Sequence, residues 1–554
     1  MTQQLTQFQH VFTQAQPDAL HPVYTSVREL EQCAEAPRGV GSQWRVRGPD
    51  GEFLYEEAAR DATDHHREIG DGAKVYARPV KGSDLMPVQF GARRNGFDDD
   101  GAALEACMTY AQRNGYAVDL GVGEYRIEAR STPLLSYNRR LGDASANRFA
   151  LFGRGPSMTR LCLVGDCTDF LFKVEGNTDG YSATHPRASW FDFCDFSING
   201  NGHTADLFSF ICADRCNIDN VTSFNTHGYG LFARQLWDSL CNVRFVHCGD
   251  NLRLPIVARS EAFTVGQTIT GTTSGATAWL MDVDGGTAGT LHVTRGEGTF
   301  ADGEEIIGEA DGKATSSIPD GIEGAEKAVV DFDYQFEDRL TDSACNQVKF
   351  PETVQIEGYR WRAMHWGKAT RQNYFGGKIH WIIDRHYGGP AVYLDGPTSN
   401  HFVPGMMMAH TPSEPAIVMD GSKYNATGNR LIGISGGKGL RMTGDCRSNV
   451  VSLCAFDNGD DACVVIEGGR DNMIRDNMPR GSGPEIENRA KSPDFALLDR
   501  RIPERVHIGD AEPTGGWGPA RLNVHTNQNL VAALESARAS GAVTIEGGRM
   551  SAPE

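Results

Sequence analysis

The sequence predicts a mainly β fold, a parallel β-solenoid, and three observations carry the prediction. A short apolar strand ending in a glycine turn recurs every two dozen residues: AVYLDG (Ala391 to Gly396), AIVMDG (Ala416 to Gly421), GLRMTG (Gly439 to Gly444) and CVVIEG (Cys463 to Gly468). An asparagine leading into an apolar strand recurs at Asn217, Asn242, Asn346, Asn373, Asn400, Asn429, Asn449 and Asn472, with six of the seven gaps between 20 and 29 residues. Glycine makes up 64 of the 554 residues, well above the usual ~7 %, as a chain of many tight turns requires. A repeat this short, with no amphipathic helix, cannot bury its apolar face alone and must stack. Each coil then pairs in parallel with the next at about 4.8 Å. A β-sandwich would instead space its strands at ~8–12 residues with no shared marker.

Along the chain, residues 1–85 precede the repeat as a small N-terminal unit. It holds a helical stretch near Ser26 to Ala36 and a hairpin, WRVRGPDGEFLY (Trp44 to Tyr55), with a Pro-Asp-Gly turn. Residues 86–254 open the solenoid. In Phe90 to Ile127, Asp99 or Asp100 caps a helix with Leu104, Met108 and Ala111 at helical spacing, and the strand YAVDL follows. Residues 255–324 form an inserted β module with an internal repeat, Phe263 to Gly275 aligning with Phe300 to Gly312. Residues 325–480 resume the solenoid. Residues 481–554 form an exit segment and a C-terminal region with an Ala-rich helix around Asn527 to Ala539 and an apolar strand, AVTIEG.

The Phe90 to Ile127 block resembles the entry motif of the pectate-lyase-like right-handed β-helix superfamily, as found in phage tailspikes. Phe90, Gly91, Ala92, Gly96, Asp99, Asp100, Ala102, Ala103, Gly123 and Tyr125 match; Asn95 replaces an aspartate, Gly101 a threonine, and the proline near Gly121 is absent. The resemblance implies a right-handed parallel β-helix with a capping helix, a homotrimer, a phage tail or baseplate contact through the N-terminal region, and a bacterial surface polysaccharide as substrate. It implies no particular chemistry, because the superfamily includes lyases, hydrolases and non-catalytic adhesins.

Charge and composition narrow the partners. A net charge of −19 leaves no nucleic-acid footprint at the whole-chain level. No apolar run reaches the ~18 residues of a membrane span, and the start, MTQQLTQFQHVFTQAQ, lacks a signal-peptide pattern, as expected of a virion protein made in the host cytoplasm. Thirteen cysteines without a CxxC pair read as small buried residues of a reduced chain. No cofactor or metal is expected: there is no zinc motif or phosphate-cradling loop, and His65 and His66 have no third ligand at metal spacing.

A solenoid has no deep pocket, so a site must line a groove formed by outward side chains of neighbouring coils. Aligning Asn346 with Asn373 sets Glu357 against Asp384 and Tyr359 against His386. Two carboxylates on adjacent coils start about 5 Å apart at the backbone, within reach of the separations of roughly 5 to 9.5 Å that glycosidases use. Lys349 to Arg385 carries seven basic and three acidic residues, and three of the eight tryptophans. Aromatic faces stack on sugars and guanidinium groups pair with carboxylates on them. Glu357 and Asp384 are therefore the candidate catalytic pair, with Tyr359, Arg360, Trp361, Trp366, Arg371, Trp381, Arg385 and His386 as candidate substrate contacts. The competing reading is a surface ion-pair ladder with Arg360 and Arg385. Asp395 and Asp420 also stack but precede glycines and read as turn corners, and Asp331 and Asp333 read as a solvent-facing pair on one strand. The expected function is hydrolysis of a capsule, exopolysaccharide or O-antigen. The alternatives are β-elimination on a uronate, with Tyr359 or His386 as base, and an adhesin that binds without cutting.

Overall fold

The computed structural model describes residues 27–508 and the strands at 544–546 and 549–551, apart from internal stretches of which the longest are 139–147, 177–186, 319–327 and 381–389. The architecture is a right-handed parallel β-helix. Two sheets of 13 strands and one of seven run along it, and almost every strand in them pairs in parallel with the strand of the next coil. In the second sheet the order runs from Leu135–Asn138 through Asp206–Asp214, Leu231–Trp237, Ala328–Asp333, Arg362–Trp366, Val392–Asp395 and Ile417–Thr427 to Val506–Ile508. The ladder thus runs on beyond residue 480, where the sequence repeat fades.

Alternation along each strand decides what the core receives. Phe210, Ala233, Phe332, Trp366, Leu394 and Met419 point inward in one stacked row, every one buried. Between them, Phe232, Asp331, His365, Tyr393 and Val418 form the outward row. The core end of the coil is closed by the helix Gly101–Asn114, which buries Leu104, Met108 and Ala111. Asp100 occupies its N-cap position with its carboxylate turned back onto the Arg93 and Arg94 amides, while Asp99 accepts the Gly101 amide.

The asparagine marker resolves into two different structural positions. Asn373, Asn400, Asn429, Asn449 and Asn472 form a buried ladder in which the Nδ2 of each of the first four donates to the Oδ1 of the asparagine one coil on, at 2.9–3.2 Å, and that of Asn472 to the Cys446 carbonyl. Each Oδ1 also accepts the backbone amide of the preceding asparagine. Asn217 and Asn242 instead begin or join strands of the first sheet, where they bond Asp192 and Asp219. Asn346 sits two residues ahead of the ladder position, bridging to Arg371 while Val348 bonds Asn373.

Ahead of the coils, an antiparallel sheet spans Gln43 to Arg78, and its first hairpin pairs Trp44 with Tyr55. Between the coil strands Cys241–Val246 and Ala328–Asp333, a six-stranded antiparallel sheet from Leu252 to Thr315 has its own core around Ile269, Leu280, Leu291 and Ile306. Its two internal copies cap each other: Gln267 accepts the Ala310 and Asp311 amides, and Glu304, four residues into the second copy as Gln267 is into the first, accepts those of Thr273 and Ser274. The strand Thr544–Glu546 pairs with Arg549–Ser551. The Ala-rich segment 527–539 lies outside the described residues. Among the described residues, no helix is long and apolar enough to cross a membrane.

Candidate active site

Glu357 is set against His380 of the next coil, and Asp384 lies outside the described residues. Glu357 lies on the first sheet between Val246 and His380 of the neighbouring coils. The alignment that set it against Asp384 slips by four residues, in two equal steps. Asn346 is paired with Arg371, not Asn373, which accounts for two. The corner from Phe350 to Gln355 is then two residues longer than the corner from Phe375 to Lys378 in the next coil, which accounts for the rest.

Two proposed sugar contacts are core residues. Trp366 follows His365 on a strand whose alternate residues face inward, and its ring packs against Phe332 and Phe402. Tyr359 is fully buried, and burial pushes its hydroxyl far above the usual phenol range. Arg371 is half-buried at the corner between the second and third sheets. Arg360, Trp361, Trp381, Asp384, Arg385 and His386 lie outside the described residues.

The outer face of the second sheet gathers the ionisable groups instead. Asp331 is buried there, where a solvent-facing carboxylate was expected. Its Oδ1 lies 2.8 Å from His365 Nδ1, and its Oδ2 lies 3.3 Å from Arg234 Nη2. Burial works to raise its pKa, but the His365 hydrogen bond and the Arg234 charge outweigh it and hold the carboxyl below its ordinary value. Asp333, two residues on, goes the other way. Burial, with repulsion from Asp331, raises its pKa against the Tyr334 amide and the Arg234 and His365 charges, which oppose it. Two carboxyls on one strand are thereby pushed apart, one kept ionised and one kept protonated to higher pH.

Glycine makes the geometry possible. A side chain at Gly367, the next coil's residue at this position, would sit 2.3 Å from the Asp333 carboxyl carbon, so the carboxyl occupies that space. Asp333 Oδ1 is held there by the Tyr334 and Lys368 amides. One coil beyond Gly367 comes Asp395, whose register partner is Asp420. Asp395 Oδ1 is buried with no hydrogen bond among the described residues. Asp420 is held ionised: burial favours its neutral form, but bonds from Ser422, Tyr393 and Thr443 outweigh that. Asp395 ends its strand before Gly396, whose φ of 67° turns the chain, whereas Asp420 and Gly421 lie inside the strand Ile417–Thr427, so only the first of the two is the turn corner its glycine indicated.

Aromatic and cationic groups flank this cluster. Phe170, Tyr229 and Phe232 form a half-buried trio with centroids 5.1 to 6.3 Å apart, and the Arg234 guanidinium lies 4.0 Å from the Phe232 centroid. On the other side Arg362 lies 4.3 Å from the Tyr393 centroid, and Tyr393 stacks on His365. Sequence reading passed over Asp331 and Asp333 because their outward face was taken for open solvent. The signal that could have found them is the run Phe232, Asp331, His365, Tyr393, legible only once the register across the insert is known. A separate cleft of about 510 Å³ on the first sheet holds Trp190, Arg148 and Asp192, with no second carboxylate lining it.

No family model and no curated protein matches the chain in sequence. Among solved structures, the chain is similar to ORF18 of Geobacillus virus E2, at 13% identity and a TM-score of 0.43, over 83% of this chain and 71% of that one. It is also similar to the A-module of the Azotobacter vinelandii mannuronan C-5 epimerase AlgE6, at 12% identity and a TM-score of 0.40, over 75% and 98% of the two chains. The tailspike protein of Acinetobacter baumannii phage AM24 aligns at 10% identity and a TM-score of 0.40, over 83% of this chain and 65% of that one.

Proposed function

We propose that this chain is a tailspike-type depolymerase that hydrolyses a bacterial surface polysaccharide along the outer face of the second sheet. The observation that carries the reading is the Asp331 and Asp333 pair, two carboxyls on one strand driven to opposite protonation preferences beside an aromatic platform. The entry motif supplies the substrate class.

Asp333 is assigned as general acid. Its proton passes to the glycosidic oxygen as the bond to the anomeric carbon breaks. Asp395 is assigned to the opposite side, taking a proton from the attacking water or attacking the anomeric carbon itself. Its Cα lies two coils from that of Asp333, about 9–10 Å at the usual strand spacing, and the lean of Asp333 over Gly367 shortens the distance between the carboxyls. Asp331 does not touch the sugar in this scheme. It anchors Arg234 and His365 and keeps Asp333 protonated by its charge. Phe170, Tyr229 and Phe232 stack on sugar faces, and Arg234 and Arg362 meet carboxylates or acyl groups on the polymer. The same reading gives a homotrimer whose N-terminal region meets the phage tail.

The test is gel filtration of capsular and O-antigen polysaccharides before and after incubation, read by refractive index and ultraviolet absorbance together. A shortened polymer without new absorbance, lost in Asp333→Asn and kept in Glu357→Gln, is the expected result. Shortening with new absorbance would make the enzyme a lyase. Loss in Glu357→Gln alone would return the site to the first sheet, and co-elution without shortening would leave an adhesin.

A further inference from the structure

The coil and the inserted sheet meet at a polar junction that the proposed glycan site does not use. The coil contributes Asp166, Gly202 and His203; the insert contributes Arg253, Asp282, Asp284 and His292. Both histidines are fully buried. Gly202 (φ 82°) has the insert so close that a Cβ there would lie 3.0 Å from the His292 Cβ. The apolar cores of the two parts are separate clusters, and this polar junction bridges them.

The hydrogen-bond arithmetic at the two rings does not close with neutral imidazoles. His203 Nε2 lies 2.7 Å from Asp282 Oδ2, and its Nδ1, which makes no hydrogen bond of good geometry, faces Asp166 Oδ1 at 3.4 Å. His292 Nε2 lies 2.6 Å from Asp284 Oδ2, and its Nδ1 faces the Gly202 carbonyl at 3.2 Å. All four ring nitrogens thus face acceptors, whereas a neutral imidazole carries one N–H. Either both rings take a second proton, placing two buried cations with centroids 4.4 Å apart, or one divalent cation supplies the same charge between the carboxylates. The second arrangement avoids the repulsion between the rings. It also leaves the His203 Nδ1–H facing the Asp166 carboxylate, the outer-sphere contact that metal-bound histidines characteristically make.

We propose that this junction is a divalent transition-metal site, with His203 Nε2, Asp282 and Asp284 as ligands and His292 hydrogen-bonded to Asp284 behind them. Ligand atoms of His203, Asp282 and Asp284 lie within 4.8 Å of one another, and His292 Nε2 adjoins Asp284. Mixed imidazole and carboxylate donors suit zinc, cobalt or manganese better than calcium. Asp166, ion-paired with Arg253, orients His203 from outside. The Asp284 side chain is 49% exposed, which gives the ion a way in. The metal clamps the inserted sheet to the coil.

The test uses the full chain, stripped with a chelator and titrated with Co²⁺ and then Zn²⁺. One ion per chain is expected, with the visible bands of a four- or five-coordinate cobalt site, displacement of those bands by Zn²⁺, and a higher thermal midpoint. Asp284→Asn, at a side chain exposed enough to leave folding intact, should weaken binding about tenfold or more, and His203→Gln should abolish the bands. Binding that is unchanged in both variants would place the ion elsewhere and overturn the proposal. So would a chain that takes up neither ion and whose stability follows pH alone, since the two extra protons would then be the native arrangement.

Discussion

The outer faces of the first and second sheets are built from the same coils, and they differ in what covers them. On the first, Glu357 lies half-buried beside His380, and neighbouring polar groups such as Asn242 and Thr353 satisfy each other at the surface. On the second, Tyr229, Phe232 and Tyr393 lean over a row of charges, so that Asp331 is buried and its neighbour Asp333 leaves its ordinary range. The difference teaches that composition does not assign chemistry in a solenoid. The basic, aromatic segment 349–385 winds through all three sheets, so that among its described residues Arg362 reaches the outer face of the second sheet, Arg371 a corner and Trp366 the core.

The strongest way to break the comparison is catalytic. Asp333→Asn removes a proton donor and should lower kcat on a cleavable polysaccharide by about 10²–10⁴-fold, while Glu357→Gln should stay within about twofold. Reducing-end release measured for both variants on one substrate decides between the faces; equal losses would mean that neither face is special.

The next effect concerns stability. Trp366→Ala should cost about 3–5 kcal/mol, as emptying a large buried site does, because its ring sits between Phe332 and Phe402. A thermal melt would detect it, and a near-neutral result would contradict the inward placement. A smaller contrast separates the two kinds of marker asparagine. Asn449→Ala strands buried partners above and below it and should cost about 1–3 kcal/mol. Asn242→Ala, which removes partly exposed bonds to Asp219 and Thr353, should cost about 0.5 kcal/mol or less. Equal costs would mean that the ladder adds nothing beyond ordinary polar contacts.

These contrasts also mark how far the sequence could be read. The coil was legible because its repeat is a one-dimensional signal: stacked apolar strands and a recurring asparagine survive any uncertainty about corners. The Trp44 and Tyr55 pairing was legible for the same reason, since a two-residue turn fixes the register locally. The alignment of Glu357 missed its register partner His380 because register across coils depends on corner length, and corners change by a residue or two without changing the repeat. Asp331 was hidden behind a different obstacle. Its partner Arg234 is 97 residues away across the inserted sheet, so no spacing rule joins them. The junction of His203 and His292 is further still from sequence view, because its two halves belong to different sheets and share no period.

The smallest effect sharpens the comparison through pH. Asp331 has its folded-state pKa depressed by His365 and Arg234. Such a carboxyl adds stability above its unfolded pKa of about 3.9, and that stability is lost as pH falls through the depressed folded value. The wild-type chain should therefore lose stability on acidification with a slope to which Asp331 contributes, and Asp331→Asn should flatten the slope even though its stability at neutral pH is lower. Asp333 has the opposite sign. Its raised pKa favours folding while it is protonated, so its contribution fades as pH rises, and the basic limb of the activity profile should follow the same proton. Denaturant midpoints collected from neutral to acid pH for wild type and Asp331→Asn test the Asp331 contribution, and a slope unchanged in the variant would show that the buried second-sheet carboxyl does not carry the acid sensitivity.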